Sequence, residues 1–398
     1  MNTMKQLFLI TSLLLIGNFS AKAQIAVKGE IVYTMAGNPI TNGVVLIKDG
    51  KIERVGTASV VKIPSNYKIY EAKVVTPGLI DAHSVVGLSG HLNTDADQDQ
   101  LETSNPIQPE LRAIDAYNAR EALVKHLLGF GVTTVHTGHG PGALISGQTM
   151  IIKTAGETVD DNLIEPSKML AFTLGGNLSN DFKKPGTRAK GIAMLRQELI
   201  KAQAYLKKRN GDDDYSKDLG MEALADLLEG KLTALVTVHK ANDIQATIRL
   251  QQEFGFPMVL DGVAEAYLVI DEIKKGGYPV IVHASMIRPF GDAKNASMET
   301  ASKLYNAGIP IAFQSGFEAY VPKTRVVLFE AGVAAANGLG KENALKVLTI
   351  DAAKILGIDA KVGSLEKGKD ADVVMYDGDP LEYLTNVTGV IVNGEKVK

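Results

Sequence analysis

The 398-residue sequence contains no cysteine and no tryptophan. Without cysteine there is no disulfide framework, no thiolate-bound zinc and no thiol nucleophile. A basic surplus is also missing, since 42 lysines and arginines stand against 45 acidic residues, a formal net charge of −3. A chain with no cationic excess to neutralise phosphates is not expected to bind nucleic acid. At 45% hydrophobic and 22% charged residues, the composition is not that of a disordered, collagen-like or polytopic membrane chain. A chain of this length buries roughly 75% of its unfolded surface, enough for one large core and a smaller one.

The first residues read as a targeting segment. Lys5 precedes the apolar run Leu7–Gly17, and Ala21-Lys22-Ala23 follows as a small-residue cleavage site. That run is too short to span a bilayer. Residues 1–23 are therefore expected to be a cleaved signal peptide, with the mature protein periplasmic or secreted and free of the membrane.

Both ends of the remaining chain have strand character. Val44-Val45-Leu46-Ile47, the turn pair Asp49-Gly50 and Ile52–Val55 predict a hairpin, and Asp372–Tyr376 and Gly389–Val392 repeat the pattern before Asn393-Gly394. Residues 24–74 and 355–398 are expected to form a small composite β-sandwich. Between them, residues 75–354 alternate apolar runs with helical stretches. Candidate strands are Val75–Ala82, Val132–Thr137, Thr149–Thr154, Met169–Leu174, Ala234–His239, Pro257–Asp261, Pro279–Ala284 and Ile309–Gln314. Eight such runs, apolar on both faces, predict an α/β fold built on a parallel (β/α)8 TIM-type barrel, with a doubly wound sheet as the alternative. The connection His139–Gln148 is too short and glycine-rich for a helix. Between the fourth and fifth strands, Ile192, Leu195, Leu199, Ala202 and Leu206 recur at helical spacing and predict a helix covering the barrel. Gly211–Asp214 then reads as a solvated turn.

Four of the seven histidines, His83, His136, His239 and His283, fall at or just past the C-terminal ends of predicted strands. In a barrel these ends converge on the face where active sites are built. His139 follows in the turn Gly138–Gly142. Asp261 and Gln314 end the sixth and eighth strands and are expected, with His136, His139 and His283, to line the same pocket. Two other motifs do not hold. Asp95-x-Asp97-x-Asp99 opens like a calcium loop, but Gln100 and Pro106 occupy the positions that require Gly and Glu. The turn Gly138–Gly142 lacks the Lys-Ser/Thr of a phosphate loop.

Val75-Thr76-Pro77-Gly78-Leu79-Ile80-Asp81-Ala82-His83 resembles the first barrel strand of the amidohydrolase superfamily. Asp351–Lys354 through Gly363-Ser364-Leu365-Glu366-Lys367-Gly368-Lys369-Asp370-Ala371-Asp372 resembles its closing segment. Leu111–Ala116 and Gly131–Val135 are similar to the secreted, imidazolonepropionase-like branch. The resemblance implies metal-assisted hydrolysis of non-peptide C–N bonds. In that chemistry a divalent cation, bound by histidines and a carboxylate, activates water and an aspartate moves the proton.

The sequence departs from that pattern on several strands. His83 and His239 match family ligands, but Val85 stands where a second histidine belongs. Gly176, Gly262 and Gly316 end strands that carry ligands or the catalytic aspartate in the family. Two imidazoles alone do not close a zinc site. The expectation is a catalytically impaired member, with His83 and His239 as remnant metal ligands. It would bind a small polar ligand or pair with a catalytically complete homologous subunit, and a homo-oligomer is compatible. The alternative is an active hydrolase of amide or cyclic amide bonds. There His136, His139 and His283 would rebuild a mononuclear site around one divalent metal, zinc first, with Asp261 or Glu265 moving the proton.

Overall fold

The computed structural model describes residues 24–92, 94–176, 178, 182–211, 215–285, 287, 289–316 and 326–398. The expected signal peptide and residues 212–214 of the expected turn lie outside the described residues. The chain opens with β1 (Ile25–Val32), β2 (Ile40–Lys48), β3 (Lys51–Thr57) and β4 (Lys68–Pro77). The barrel follows with β5 (Leu79–Ser84), β6 (Val132–Thr137), β7 (Ile145–Gln148), β8 (Met150–Lys153), β9 (Leu163–Glu165) and β10 (Met169–Thr173). It continues through β11 (Thr233–Val238), β12 (Met258–Gly262), β13 (Val280–Val282) and β14 (Ile311–Phe313). The C-terminal segment returns as β15 (Val373–Tyr376), β16 (Val387–Val392) and β17 (Glu395–Lys396).

The terminal strands join in one seven-stranded sheet, in the order β17-β16-β15-β4-β1-β2-β3. Its strands share a core of Val27, Val45, Ile47, Val75, Val373, Met375 and Ile391, so residues from both chain ends bury one another. β2 and β3 pair antiparallel across Asp49-Gly50, as the turn chemistry predicts. β4 runs on to Pro77 before the chain enters the barrel at Leu79.

In the barrel, β10 to β14 pair in parallel, as do β5 and β6, and a parallel bridge between Ser84 and Gly316 joins the two ends. The third stave differs from expectation. The segment Thr149–Thr154 was expected as a parallel strand, but β8 runs antiparallel to β6, and β7 runs antiparallel to β10. The cause is the short connection after β6. A parallel strand needs a crossover of a dozen or more residues to carry the chain back, and residues 138–144 cannot supply one. The chain therefore turns and descends directly.

Inward-facing apolar residues form the barrel floor. Ile80, Ile151, Met169, Leu235, Val259, Ile281 and Ala312, one from each of seven strands, pack against Leu356, Ile358 and Val362. Burying each of the larger side chains contributes roughly 1.5–3 kcal/mol. Side chains alternate along a strand, so the residues two further on face the same interior. Those residues include Thr237, Asp261, His283 and Gln314, which places a polar layer above the apolar floor. The helix Arg188–Arg209 buries Leu195, Leu199 and Ala202 and packs on the helices Leu219–Leu228 and Ala241–Phe254, covering the barrel as its spacing predicts.

One buried cation fastens the barrel to the terminal sheet. Lys153 is 3% exposed and reaches Asp370 Oδ2 at 2.7 Å and Asp372 Oδ2 at 3.1 Å, with Asn393 Oδ1 as a further acceptor. Lys51 meets the other oxygen of Asp370 at 2.5 Å.

Candidate functional site

The polar layer is organised around Asp261 at the end of β12. Thr237 Oγ1 donates to its Oδ2 at 2.6 Å, Gln314 Nε2 donates to Oδ1 at 2.8 Å, and His83 Nδ1 lies 3.1 Å from Oδ1. The ends of β11, β14 and the first barrel strand thus converge on one fully buried carboxylate at the end of β12. Burial opposes its ionisation, but His83, Thr237 and His239 outweigh that penalty and hold the carboxyl below its ordinary range.

Asp81, two residues before His83, faces a different balance. Its Oδ1 accepts the backbone N–H of Ser315 at 3.1 Å and that of His83 at 3.3 Å, and the Ser315 side chain also acts on this carboxyl. Burial pushes this carboxyl up to about 6, only partly offset by Ser315 and His83. His239, one residue past β11, lies across Gly262. A Cβ at Gly262 would stand 2.7 Å from the imidazole Cε1, and the backbone there has φ +79°. Glycine is thus required twice over, by the ring and by the left-handed backbone. Burial lowers the His239 pKa, and its Nδ1 is without a partner.

The other predicted histidines are placed differently. The His136 ring centroid lies 5.9 Å from that of His83, but both its nitrogens are engaged. Nδ1 donates to the Ala82 carbonyl at 2.7 Å and Nε2 accepts from Thr149 Oγ1 at 2.6 Å. His283 is engaged in the same way, by the Ala284 carbonyl at 2.8 Å and Thr300 Oγ1 at 3.2 Å. A carbonyl at Nδ1 fixes the tautomer, and the hydroxyl then occupies the remaining lone pair. His139 packs against Gly147 of β7 and leaves both nitrogens unpartnered in a buried position. Burial lowers His136 to about 3 and His139 and His283 to about 4. Glu265 is held by the backbone N–H of Ala241 at 2.8 Å and by Asn295 Nδ2 at 2.6 Å.

These residues do not fit the family's metal centre. Among the described residues, no group of three or more His, Asp or Glu side chains is placed to hold one metal ion. Val85 is buried and apolar. At the end of β10 the backbone N–H of Gly176 donates to Asp292 Oδ2 at 2.5 Å, and a Cβ at Gly176 would lie 2.6 Å from that oxygen. Asp292 is itself clamped by Arg188 at 3.0 Å and Lys240 at 3.3 Å, and Arg188 also grips Asp243. A bridging acid or lysine at this strand end would displace that rim.

Sequence reasoning placed Asp261, Gln314, His83 and His239 on one face without showing that Asp261 is their hub. Asp81 and Thr237 went unmarked, although each precedes a marked histidine by two residues and so shares its facing along a strand. Ser315 acts on Asp81 through its side chain and its backbone N–H, and it too went unmarked in the sequence.

A model of the amidohydrolase family matches residues 308–397. The chain is 25% identical to an amidohydrolase of Hapsidospora irregularis over 85% of its own length, and spans 38% of that protein. It is 23% identical to the imidazolonepropionase of Fusobacterium nucleatum, covering 88% of both chains. The crystal structure of an amidohydrolase from Thermotoga maritima superposes with a TM-score of 0.88 at 29% identity, covering 94% of this chain and 99% of the other.

Proposed function

The chain belongs to the amidohydrolase superfamily, on its imidazolonepropionase-like side. From that premise we propose that it is impaired in metal-assisted hydrolysis and binds a small polar ligand at the C-terminal mouth of its barrel. One observation carries the reading: the acid at the sixth strand end is consumed internally, its oxygens shared among Thr237, Gln314 and His83. An ionised carboxylate offers about four lone-pair sites, and here three protein groups already contact them. A metal entering at Asp261 Oδ1 would have to displace His83 or Gln314, and Oδ2 is shared with the Thr237 hydroxyl. Water activation by a divalent cation normally requires three protein ligands and an open position, and His136 and His283 have no free lone pair to contribute.

The second reading, an active hydrolase with a relocated mononuclear site, has His139 in its favour, since that imidazole keeps both nitrogens unpartnered. Turnover of cyclic amides and N-acyl amino acids, measured with chelator and then with one equivalent of zinc, separates the two. The impaired reading expects no zinc-dependent rate, together with a ligand-induced rise in Tm from a screen of small polar compounds. Zinc-dependent turnover that disappears in His139→Ala would establish the second reading instead. We further propose that the protein acts outside the cytoplasm, on the strength of Lys5–Ala23. Intact-mass analysis of the exported protein should find a new N-terminus at Gln24.

A further inference from the structure

The polar layer is shut in this structure. Asp261, His83 and Gln314 are at most 2% exposed, and His239 is 8% exposed. A ligand that reaches the layer must move something aside, and the segment after β13 is placed to be what moves. The sheet runs in the order β13-β12-β11-β10, and this segment is fastened to the chain that follows each of the last three strands. Beyond β12, Asn295 Nδ2 donates to Glu265 Oε1 at 2.6 Å, and Tyr267 Oη donates to the Asn295 carbonyl at 3.1 Å. Beyond β11, Lys240 Nζ lies 3.3 Å from Asp292 Oδ1. Beyond β10, the Gly176 N–H donates to Asp292 Oδ2, and Arg188 holds the same oxygen at 3.0 Å. Both fastenings bear on His239. Lys240 is its neighbour in the chain, and the Glu265 N–H donates to the His239 carbonyl at 2.9 Å.

These fastenings are polar, with little apolar surface beneath them. Of residues 289–299 only Ala293 is buried, while Phe290 and Met298 are 70% and 50% exposed. The side chains of Arg188 and Lys240 are 44% and 30% exposed, so solvent reaches both cations. Segments with few buried apolar contacts open locally at far lower free energy than the whole fold. Charge pairs between partly exposed groups also weaken as salt rises. We propose that residues 289–299 are a lid over the His239 side of the mouth, latched by Asp292, and that ligand enters when the latch opens. Asp292 is the latch because one side chain joins Gly176, Arg188 and Lys240, on three separate segments. What the opening serves rests on the polar-ligand reading above; the opening itself is tested without a ligand.

The test is histidine labelling of the full mature chain with diethyl pyrocarbonate, read by peptide mass spectrometry, beside hydrogen exchange over residues 289–299. His239 keeps Nδ1 without a partner, so its cover governs its reactivity, whereas His136 and His283 are engaged at both nitrogens. In Asp292→Asn, His239 labelling and exchange over 289–299 are each expected to quicken about tenfold, with His136, His283 and the β12 peptides unchanged. Sodium chloride at about 1 M should quicken His239 labelling in the wild type and have no further effect in Asp292→Asn. Either change without the other would overturn the proposal, as would neither, or a general rise that includes β12. Circular dichroism reports whether Asp292→Asn folds. Asn295→Ala, which releases the other fastening, carries the same comparison if it does not. A screen of polar compounds that leaves Tm unchanged removes the polar-ligand reading alone, whatever the labelling shows.

Discussion

Acidification should destabilise this protein early, through its buried histidines. His136, His139 and His283 are lowered by burial to about 3, 4 and 4. In the unfolded chain each returns to about 6.5. As pH falls below 6.5 the unfolded state takes up protons that the folded state refuses, so stability is lost on descending from there toward pH 4. Asp81 works in the opposite direction. Its folded value of about 6 exceeds the unfolded 3.8, so its contribution is complete below 3.8 and is lost as pH rises through about 6. Between pH 7 and pH 5 each histidine costs about 1.9 kcal/mol and Asp81 returns about 1.3, a net loss of about 4 kcal/mol. That is a large share of a typical folding free energy of about 5–15 kcal/mol. Urea unfolding followed by far-UV circular dichroism at the two pH values measures it. His283→Gln should reduce the pH dependence by about 1.9 kcal/mol. Stability unchanged to within about 1 kcal/mol, or higher at pH 5, would refute the reasoning.

Two further perturbations test the scaffold that carries the site. Lys153→Met leaves the buried Asp372 without its cation and the half-buried Asp370 with Lys51 alone. It should cost about 3–5 kcal/mol in urea unfolding, and Lys153→Met/Asp370→Asn/Asp372→Asn should recover part of that loss. Gly262→Ala forces a side chain onto the His239 ring at a backbone φ of +79°. A loss of about 1–3 kcal/mol is expected, with a shift of the His239 resonances in NMR as the local signature.

The sequence carried more of the fold than of the site. Apolar runs such as Val132–Thr137 and Met169–Thr173 became strands because burial on both faces leaves few other uses for them. The helix Arg188–Arg209 followed from its spacing. The direction of the third stave was less legible, because strand composition is the same whichever way the chain runs. Only the shortness of the connection His139–Gln148 pointed to a reversal. At the site, residue type and strand-end position marked His83, His239, Asp261 and Gln314. Position did not reveal which nitrogens were already taken. The engagement of His136 by Ala82 and Thr149, and of His283 by Thr300, depends on contacts across strands and between segments that no local pattern encodes, and the turn of the His283 ring onto its neighbour's carbonyl at Ala284 has no side-chain signal in the sequence. The family resemblance supplied the expected ligand pattern, and the departures at Val85, Gly176, Gly262 and Gly316 acquire physical content from what surrounds them. Gly176 seats a carboxylate on its backbone N–H, and Gly262 seats an imidazole.

The central claim is that this member of the family no longer builds a metal centre. Elemental analysis of the purified mature protein, beside a His83→Ala/His239→Ala double variant, tests it most directly. The account predicts substoichiometric zinc, manganese and iron in the wild type, with no change in the double variant. One equivalent of metal per chain, lost when His83 and His239 are removed, would contradict it.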